Sequence, residues 1–579
     1  MSTETIDQNG PAEPPGPPGR TDAAEPGGPA EEREPDLTVV GIGVAAVVGV
    51  VAWAAIGKKS FDSASSTALA WVLENFAWLF VIAADIFLVL CAVIAVSRFG
   101  QIRLGRDDSE PEFTNLAWIA MMFSAGMGIG LMFYGVGEPL QHYLSPPPAA
   151  AGVEPGTDSA AGTALQYSFF HWTLTPWAIY GIAGLALAYA GFRKGRGNRL
   201  SSVFVPLIGE RRAAGWPGRL IDLLAVFATV FGTATSLGVG ALQVAKGLNL
   251  TTGVEDSTSL EVIIIVALGA AFVGSAFSGL HKGVKWLSTL NIVLAACLMV
   301  FIFVLGPTVY ILDAIPASVG NYLINLVPMA TRTGAFTDSS WLGSWTIFYW
   351  AWWMSWAPFV GTFIARISRG RTIREFLIGV LLVPSAATVV WFCVMGGTGI
   401  RLDATGKADM AGQISEGPEA ALFAMLDALP IGTVTSWIAM ILVMTYFVTS
   451  ADSASLVMGS LTSRGALHPK TWLVVVWGVL MAAVAAVLLV AGGLNSLQSA
   501  TILVALPFVI VMLALCWALL KELREDPGAG PRRHHALHGL RDAVKAMVGD
   551  AITEQSPTRH HRLRRAIKSR SQDEDPGSP

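Results

Sequence analysis

An all-α polytopic membrane protein with twelve transmembrane helices is the fold class that this sequence predicts, and three observations predict it. Of 579 residues, 53% are hydrophobic and 14% charged, with a mean hydropathy of +0.55. A soluble enzyme of this length carries about a quarter charged residues. The charges are segregated into short breaks between apolar stretches, each close to the ~20 residues that cross a hydrocarbon core. Lys and Arg gather in alternate breaks, the pattern of a chain threaded repeatedly through a bilayer.

Residues 1–36 are rich in Pro, Gly, Ala and Glu and poor in large apolar side chains. Such a segment cannot bury enough surface to offset its ordering entropy, so a disordered acidic tail is expected. It lacks the basic start and short apolar core of a signal peptide, and the first apolar run therefore stays as a span. The twelve spans are read at roughly 38–57, 71–97, 114–136, 168–190, 220–246, 260–280, 287–311, 341–366, 374–397, 431–459, 471–492 and 498–520.

Arg98, Arg103 and Arg106 follow the second span, and a run from Arg193 to Arg219 follows the fourth. Lys282 and Lys285 follow the sixth, Arg366 to Arg374 the eighth, and Arg464 and Lys470 the tenth. Positive residues stay inside, which places both termini in the cytoplasm. The interrupted segment 312–330 reads either as an amphipathic helix along the outer interface or as an external loop. Cys91, Cys297, Cys393 and Cys516 all lie in apolar spans without metal-ligand or secreted-domain spacing, and read as packing groups.

The third span contains SAGMGIGLMFYG, with Gly126, Gly128 and Gly130 at alternate positions. Each glycine costs a helix interior ~1 kcal/mol relative to alanine. Two readings fit: close helix packing through small residues, or an unwound stretch lining a cavity, as at the substrate sites of secondary transporters.

The eighth span holds YWAWWMSWAP, with Trp350, Trp352, Trp353 and Trp356. Trp341 and Trp345, at its start, read as interfacial anchors. Trp352, Trp353 and Trp356 fall near mid-span within about 100° of arc, a single face. The fourth span supplies FHWTLTPWAIY, with Trp172, Trp177 and Tyr180 around Pro176. Two aromatic clusters on different spans either pack together or enclose a cage, and the usual guest of a cage is a quaternary ammonium that offers no hydrogen bonds.

Hydroxyls form two further groups: Thr449 and Ser450 in YFVTSADSAS, and Thr229, Thr233 and Ser236 in ATVFGTATSLG. They serve either as back-bonding groups on their own helices or, with carbonyls of the glycine-rich break, as a shell for sodium. Asp85 and Asp452 are the main intramembrane acids, open to readings as proton relay, hydrogen-bond hub or cap. The spans offer no nucleophile–base or metal constellation, so an enzyme is not expected and no cofactor is implied beyond coupling ions.

Taken together, AGMGIGLMFYG, FHWTLTPWAIY, ATVFGTATSLG, YWAWWMSWAPFVGTFIARISRGRTIREF and TSADSAS resemble the betaine–choline–carnitine transporter family, from about residue 38 to 522. The resemblance implies a LeuT-like 5+5 inverted repeat, about 114–311 and 341–520, preceded by two extra helices within a transporter domain at 37–522. It implies a homotrimer in the plasma (inner) membrane of a prokaryote. Trp172, Trp177, Tyr180, Trp352, Trp353 and Trp356 would form the substrate cage beside backbone of Ala125, Gly126, Gly128 and Gly130, with Trp350 and Phe359 on the cytoplasmic pathway. One sodium would use carbonyls of Ser124, Met127 and Tyr446 with the hydroxyls of Thr449 and Ser450. A second would use Thr229, Thr233 and the ring of Phe359.

In members resembling proton-coupled choline carriers, the position of Gly130 is an aspartate. Glycine betaine brings its own carboxylate and suits a neutral site, so sodium-coupled symport of a betaine-like osmolyte is expected. The alternatives are a proton-coupled choline carrier, a carnitine-type exchanger and, from another class, a non-transporting betaine-binding osmosensor. Residues 523–579 are basic, with Leu537, Leu540, Val544, Val548 and Ile552 at helical spacing. They read either as a solvated tail or as a regulatory switch on anionic lipid or the acidic amino tail; no nucleic-acid partner is expected.

Overall fold

The structure, a computed structural model, describes residues 34–126, 128–150, 152–278, 281–336 and 339–529. The predicted amphipathic helix in the carboxyl tail and most of the acidic amino tail lie outside them. Within them the chain is helical. α1 (Leu37–Ile56) matches the first expected span, whereas α2 (Lys58–Val96) contains the second but begins well before its expected start at residue 71. The third is broken into α3 (Asn115–Gly126) and α4 (Ile129–Leu144). The fourth is broken at Thr173 between α5 (Asp158–Trp172) and α6 (Leu174–Ala188).

α7 (Trp216–Thr252), α8 (Thr258–Ser278) and α9 (His281–Leu305) follow. The segment with two open readings is a helix, α10 (Thr308–Ala330), packed on α5. A π-turn at Gly343–Ile347 leads into α11 (Phe348–Arg366). α12 (Ile373–Ala404) starts with a capping box, Thr372 and Glu375 each bonding the other's backbone N–H, which satisfies two otherwise orphaned donors. α13 (Gly432–Thr462) and α14 (Thr471–Glu525) complete the bundle.

A straight helix of α14's 55 residues would run roughly 80 Å, far beyond a bilayer. The last two expected spans are its two arms. They meet at Gly492 and Gly493, where φ of +63° at Gly493 breaks the helix at a conformation that glycine adopts freely.

Nine helices among the described residues are long and apolar enough to cross a membrane, by length and composition. The sequence reading counts more for three reasons. Its third span is two short helices, its eighth is interrupted by the π-turn and diluted by indoles, and its last two share α14. Around the centre, α7 packs against α14, α13 and α11, while α6 packs against α11 and α12.

The basic connections converge at one end. Arg103 Nη1 donates to the Gly370 carbonyl at 2.9 Å and Arg374 Nε to that of Ala95 at 2.8 Å. Arg193 pairs with Asp526 at 2.8 Å, and Arg219 with Asp36 at 3.0 Å. Within the segment expected to be disordered through residue 36, the described residues are held in place: Asp36 is buried, and Glu34 pairs with Lys470 at 2.9 Å. All four cysteines are free thiols; Cys91, Cys393 and Cys516 are buried and Cys297 is exposed.

Candidate functional site

The breaks in α3–α4 and α5–α6 meet at a cavity of about 160 Å³. Gly128 is extended (φ −162°, ψ −166°) and starts α4, so the glycine run does interrupt the helix. The first N–H groups of such a helix lack intrahelical acceptors and carry the positive end of its dipole. Gly130 has to be small: a Cβ there would lie 2.8 Å from Trp172 Cη2 and 3.1 Å from Trp352 Cη2.

Trp172, Trp177, Tyr180, Trp352, Trp353 and Trp356 all line this cavity, with Gly128 and Gly130. The rings of Trp352 and Trp353 are parallel, 4.8 Å apart and 11° between planes. Trp172 meets Trp353 edge-on at 4.9 Å, and Tyr180 meets Trp177 edge-on at 5.6 Å. Trp356 turns instead to Phe359, at 5.6 Å. Three of the indole N–H groups point into protein: Trp352 Nε1 donates to Gly232 O at 3.2 Å, Trp353 Nε1 to His171 O at 2.9 Å, and Trp172 Nε1 to Glu138 Oε2 at 2.7 Å. With their donors engaged, these rings offer chiefly faces and apolar edges. No acidic or basic side chain is among the described residues that line the cavity.

Thr449, Ser450 and Tyr446 open onto the same space. Thr449 Oγ1 donates to the Thr445 carbonyl at 3.0 Å and accepts from Asn291 Nδ2 at 3.2 Å. Ser124, Ala125 and Gly126 close α3, while Met127 lies outside the described residues. The other expected hydroxyl pair lies away from the cavity, buried on α7. Thr229 bonds back to Ala225 O at 2.8 Å, whereas Thr233 Oγ1 has no hydrogen-bond partner among the described residues. Phe359 reaches the cavity; Trp350 does not, being buried against Phe170 at 5.1 Å between ring centroids.

Three findings were not expected. Trp341 and Trp345, expected as interfacial anchors, are half-buried and both pack on His142, at 5.5 and 4.4 Å. Asn291 lines the cavity, and its Oδ1 is buried without a partner among the described residues. Glu138 is fully buried behind the cage. The third span was expected to end at residue 136, which left Glu138 in a loop; α4 continues to Leu144 and carries it inward.

Glu138, His142 and His171 offer three ligand atoms within 4.8 Å of one another, a grouping that could hold a metal ion. His171 is already bonded on both sides, Nδ1 to Glu138 at 2.7 Å and Nε2 to Thr346 at 3.0 Å. Its two bonds make this a hydrogen-bonded network rather than an open coordination site.

A bundle of apolar helices, broken where it encloses an uncharged aromatic cavity, is the architecture of a membrane transporter. The chain belongs to the BCCT family, whose model, described as "betaine/carnitine/choline family transporter", matches residues 38–528. It is 45% identical over 491 residues to the glycine betaine transporter OpuD of Bacillus subtilis, covering 84% of this chain and 94% of the relative. It is 42% identical over 523 residues to the betaine/ectoine transporter LcoP of Corynebacterium glutamicum, covering 89% and 81% respectively. A glycine betaine transporter of Acinetobacter baylyi is 43% identical over 472 residues, 81% of this chain and 71% of the relative.

Proposed function

We propose that this chain imports glycine betaine, or a closely similar methylated zwitterion, together with sodium. The observation that carries the reading is a single cavity lined by aromatic faces and by Thr449 and Ser450, with no charged side chain among its described lining residues. Ring faces attract a trimethylammonium group that cannot donate hydrogen bonds. The start of α4, which reaches the cavity at Gly128 and Gly130, suits the ligand's carboxylate. Choline brings a positive charge with no carboxylate of its own, and the lining offers it no acid. The names of the similar proteins, glycine betaine and betaine/ectoine transporters, support the same class of solute.

In this reading twelve spans cross the plasma membrane as two leading helices and two inverted five-helix repeats, within a trimer and with both tails cytoplasmic. Thr449, Ser450 and carbonyls of α3 hold one sodium; Thr229, Thr233 and Phe359 hold another. The orphaned Thr233 Oγ1 supports a ligand there, since buried polar atoms rarely lack partners. The basic tail after residue 530 meets anionic lipid and tunes activity to osmotic stress.

The test is uptake of labelled glycine betaine into proteoliposomes, driven by an inward sodium gradient and compared with potassium and with a proton gradient alone. Sodium-dependent accumulation is expected. Accumulation driven by protons, or choline carried in preference to betaine, would overturn the coupling or the substrate.

A further inference from the structure

Glu138 sits behind the cage, with its carboxylate at the meeting point of three helices. Oε2 accepts from Trp172 Nε1 at 2.7 Å and from the Tyr349 hydroxyl, while Oε1 is 2.7 Å from His171 Nδ1. His142 Nε2 lies 3.5 Å from Oε1. An indole N–H can only donate, so Trp172 fixes Oε2 as an acceptor. Four polar groups crowd one carboxyl that is fully buried. That is how a protein holds an anion away from water.

Trp172 spans the distance from this carboxylate to the cavity. Its Nε1 edge meets Glu138, and its benzo edge lies against Gly130, where the cavity begins. Tyr349 is bonded to the same oxygen and stacks on Trp353, with centroids 5.8 Å apart and 20° between planes. Two members of the cage are therefore coupled to one buried anion, Trp172 directly and Trp353 through Tyr349.

We propose that Glu138 is a positioning residue for the cage and the counter-charge of its cationic guest, acting through Trp172 and Tyr349. A charge-assisted hydrogen bond from the indole N–H to an anion moves electron density onto the ring and deepens the negative potential of its face. The charge itself acts at low dielectric. The lining can thus stay free of acids, which leaves room for the substrate's own carboxylate, while a full negative charge is held one ring behind it. This rests on the substrate reading above.

The experiment compares two ligands of nearly one shape: glycine betaine, and tert-butylacetate, in which a quaternary carbon replaces the cationic nitrogen. Each competes against labelled glycine betaine for the purified full-length protein and for Glu138→Gln, and the ratio of the two affinities is read. Gln can still accept from Trp172 and Tyr349 but carries no charge. The preference for betaine over its carbon isostere should fall by about tenfold in Glu138→Gln. In Glu138→Asp, which keeps the charge, it should hold within about threefold. A role limited to holding the rings would weaken both ligands together and leave the ratio unchanged; that result overturns the proposal. So does a ratio that falls in Glu138→Asp as far as in Glu138→Gln. No betaine binding by the unaltered protein would instead sink the substrate reading, and this inference with it.

Discussion

Trp353 donates from Nε1 to the main-chain oxygen of His171, 2.9 Å away, and so ties α11 to α5 two residues before the break at Thr173. One ring serves as a wall of the cavity and as a link between two spans. Trp353→Phe keeps an aromatic face and loses the link, leaving the His171 carbonyl short of a partner. Uptake assays should show KM raised by about tenfold with a smaller change in maximal rate. Trp353→Ala should abolish measurable uptake, and a variant transporting at the unaltered KM would remove Trp353 from the cage.

Gly130 is the point where backbone meets both indole walls, with room for no Cβ unless Trp172 or Trp352 shifts. Gly130→Ala should therefore cut betaine uptake by about tenfold or more, through displaced rings rather than through helix propensity, which alanine improves. Gly130→Asp adds a charge where the lining has none. Competition between labelled betaine and choline should shift toward choline, and an unchanged preference would show that this position does not select charge.

Thr449 and Ser450 share the cavity with the cage. Changing both to Ala removes two hydroxyl oxygens from the lining and leaves the aromatic walls in place. Uptake should lose its dependence on sodium, measured as the ratio of rates in sodium and in potassium. A ratio equal to that of the unaltered protein would exclude the pair as sodium ligands.

At the basic end, burial alone would raise the Asp526 carboxyl. Its hydrogen bonds from Arg193, Tyr189 and the Gly528 N–H win, and hold it below the usual carboxylate range. A lowered value means that the clamp contributes fully above the unfolded carboxyl value of about 4 and is lost as pH falls through the folded one. Asp526→Asn should lower the thermal midpoint of the purified protein near pH 7. The difference from the unaltered protein should begin to narrow below about pH 4 and close once the pH lies below the folded value; a gap that did not narrow across that range would show that the ion pair is not its source.

Removal of the residues after 530 should alter activation by high osmolality more than substrate affinity. Uptake by the intact and shortened proteins across a range of external osmolality measures this, and coincident profiles would contradict a regulatory tail.

The apolar helices were legible because lipid forces apolar runs of nearly fixed length, and the aromatic clusters because indoles seldom fall mid-span without reason. Trp352, Trp353 and Trp356 on α11 line one cavity with Trp172 and Trp177 from the fourth span, whereas the sequence left open whether the two clusters pack together or enclose a space. The ring contacts were not legible: a shared helix face does not say which indoles touch, and the rotamers stack Trp352 on Trp353. Glu138 was missed because a carboxylate beside a proline looks like the end of a span. The signal was there in Glu138 and His142, four residues apart and so on one helix face, at the end of a run that is apolar from Ile129 to Gly137. Asn291 gave no signal, since a lone amide in an apolar helix becomes informative only when its neighbours are known.

A continuous helix resists bending because every bend strains a ladder of hydrogen bonds. The joints at Gly128 and Thr173 already interrupt that ladder on both sides of the cavity. A bend at either joint therefore strains fewer hydrogen bonds than a bend elsewhere along these helices.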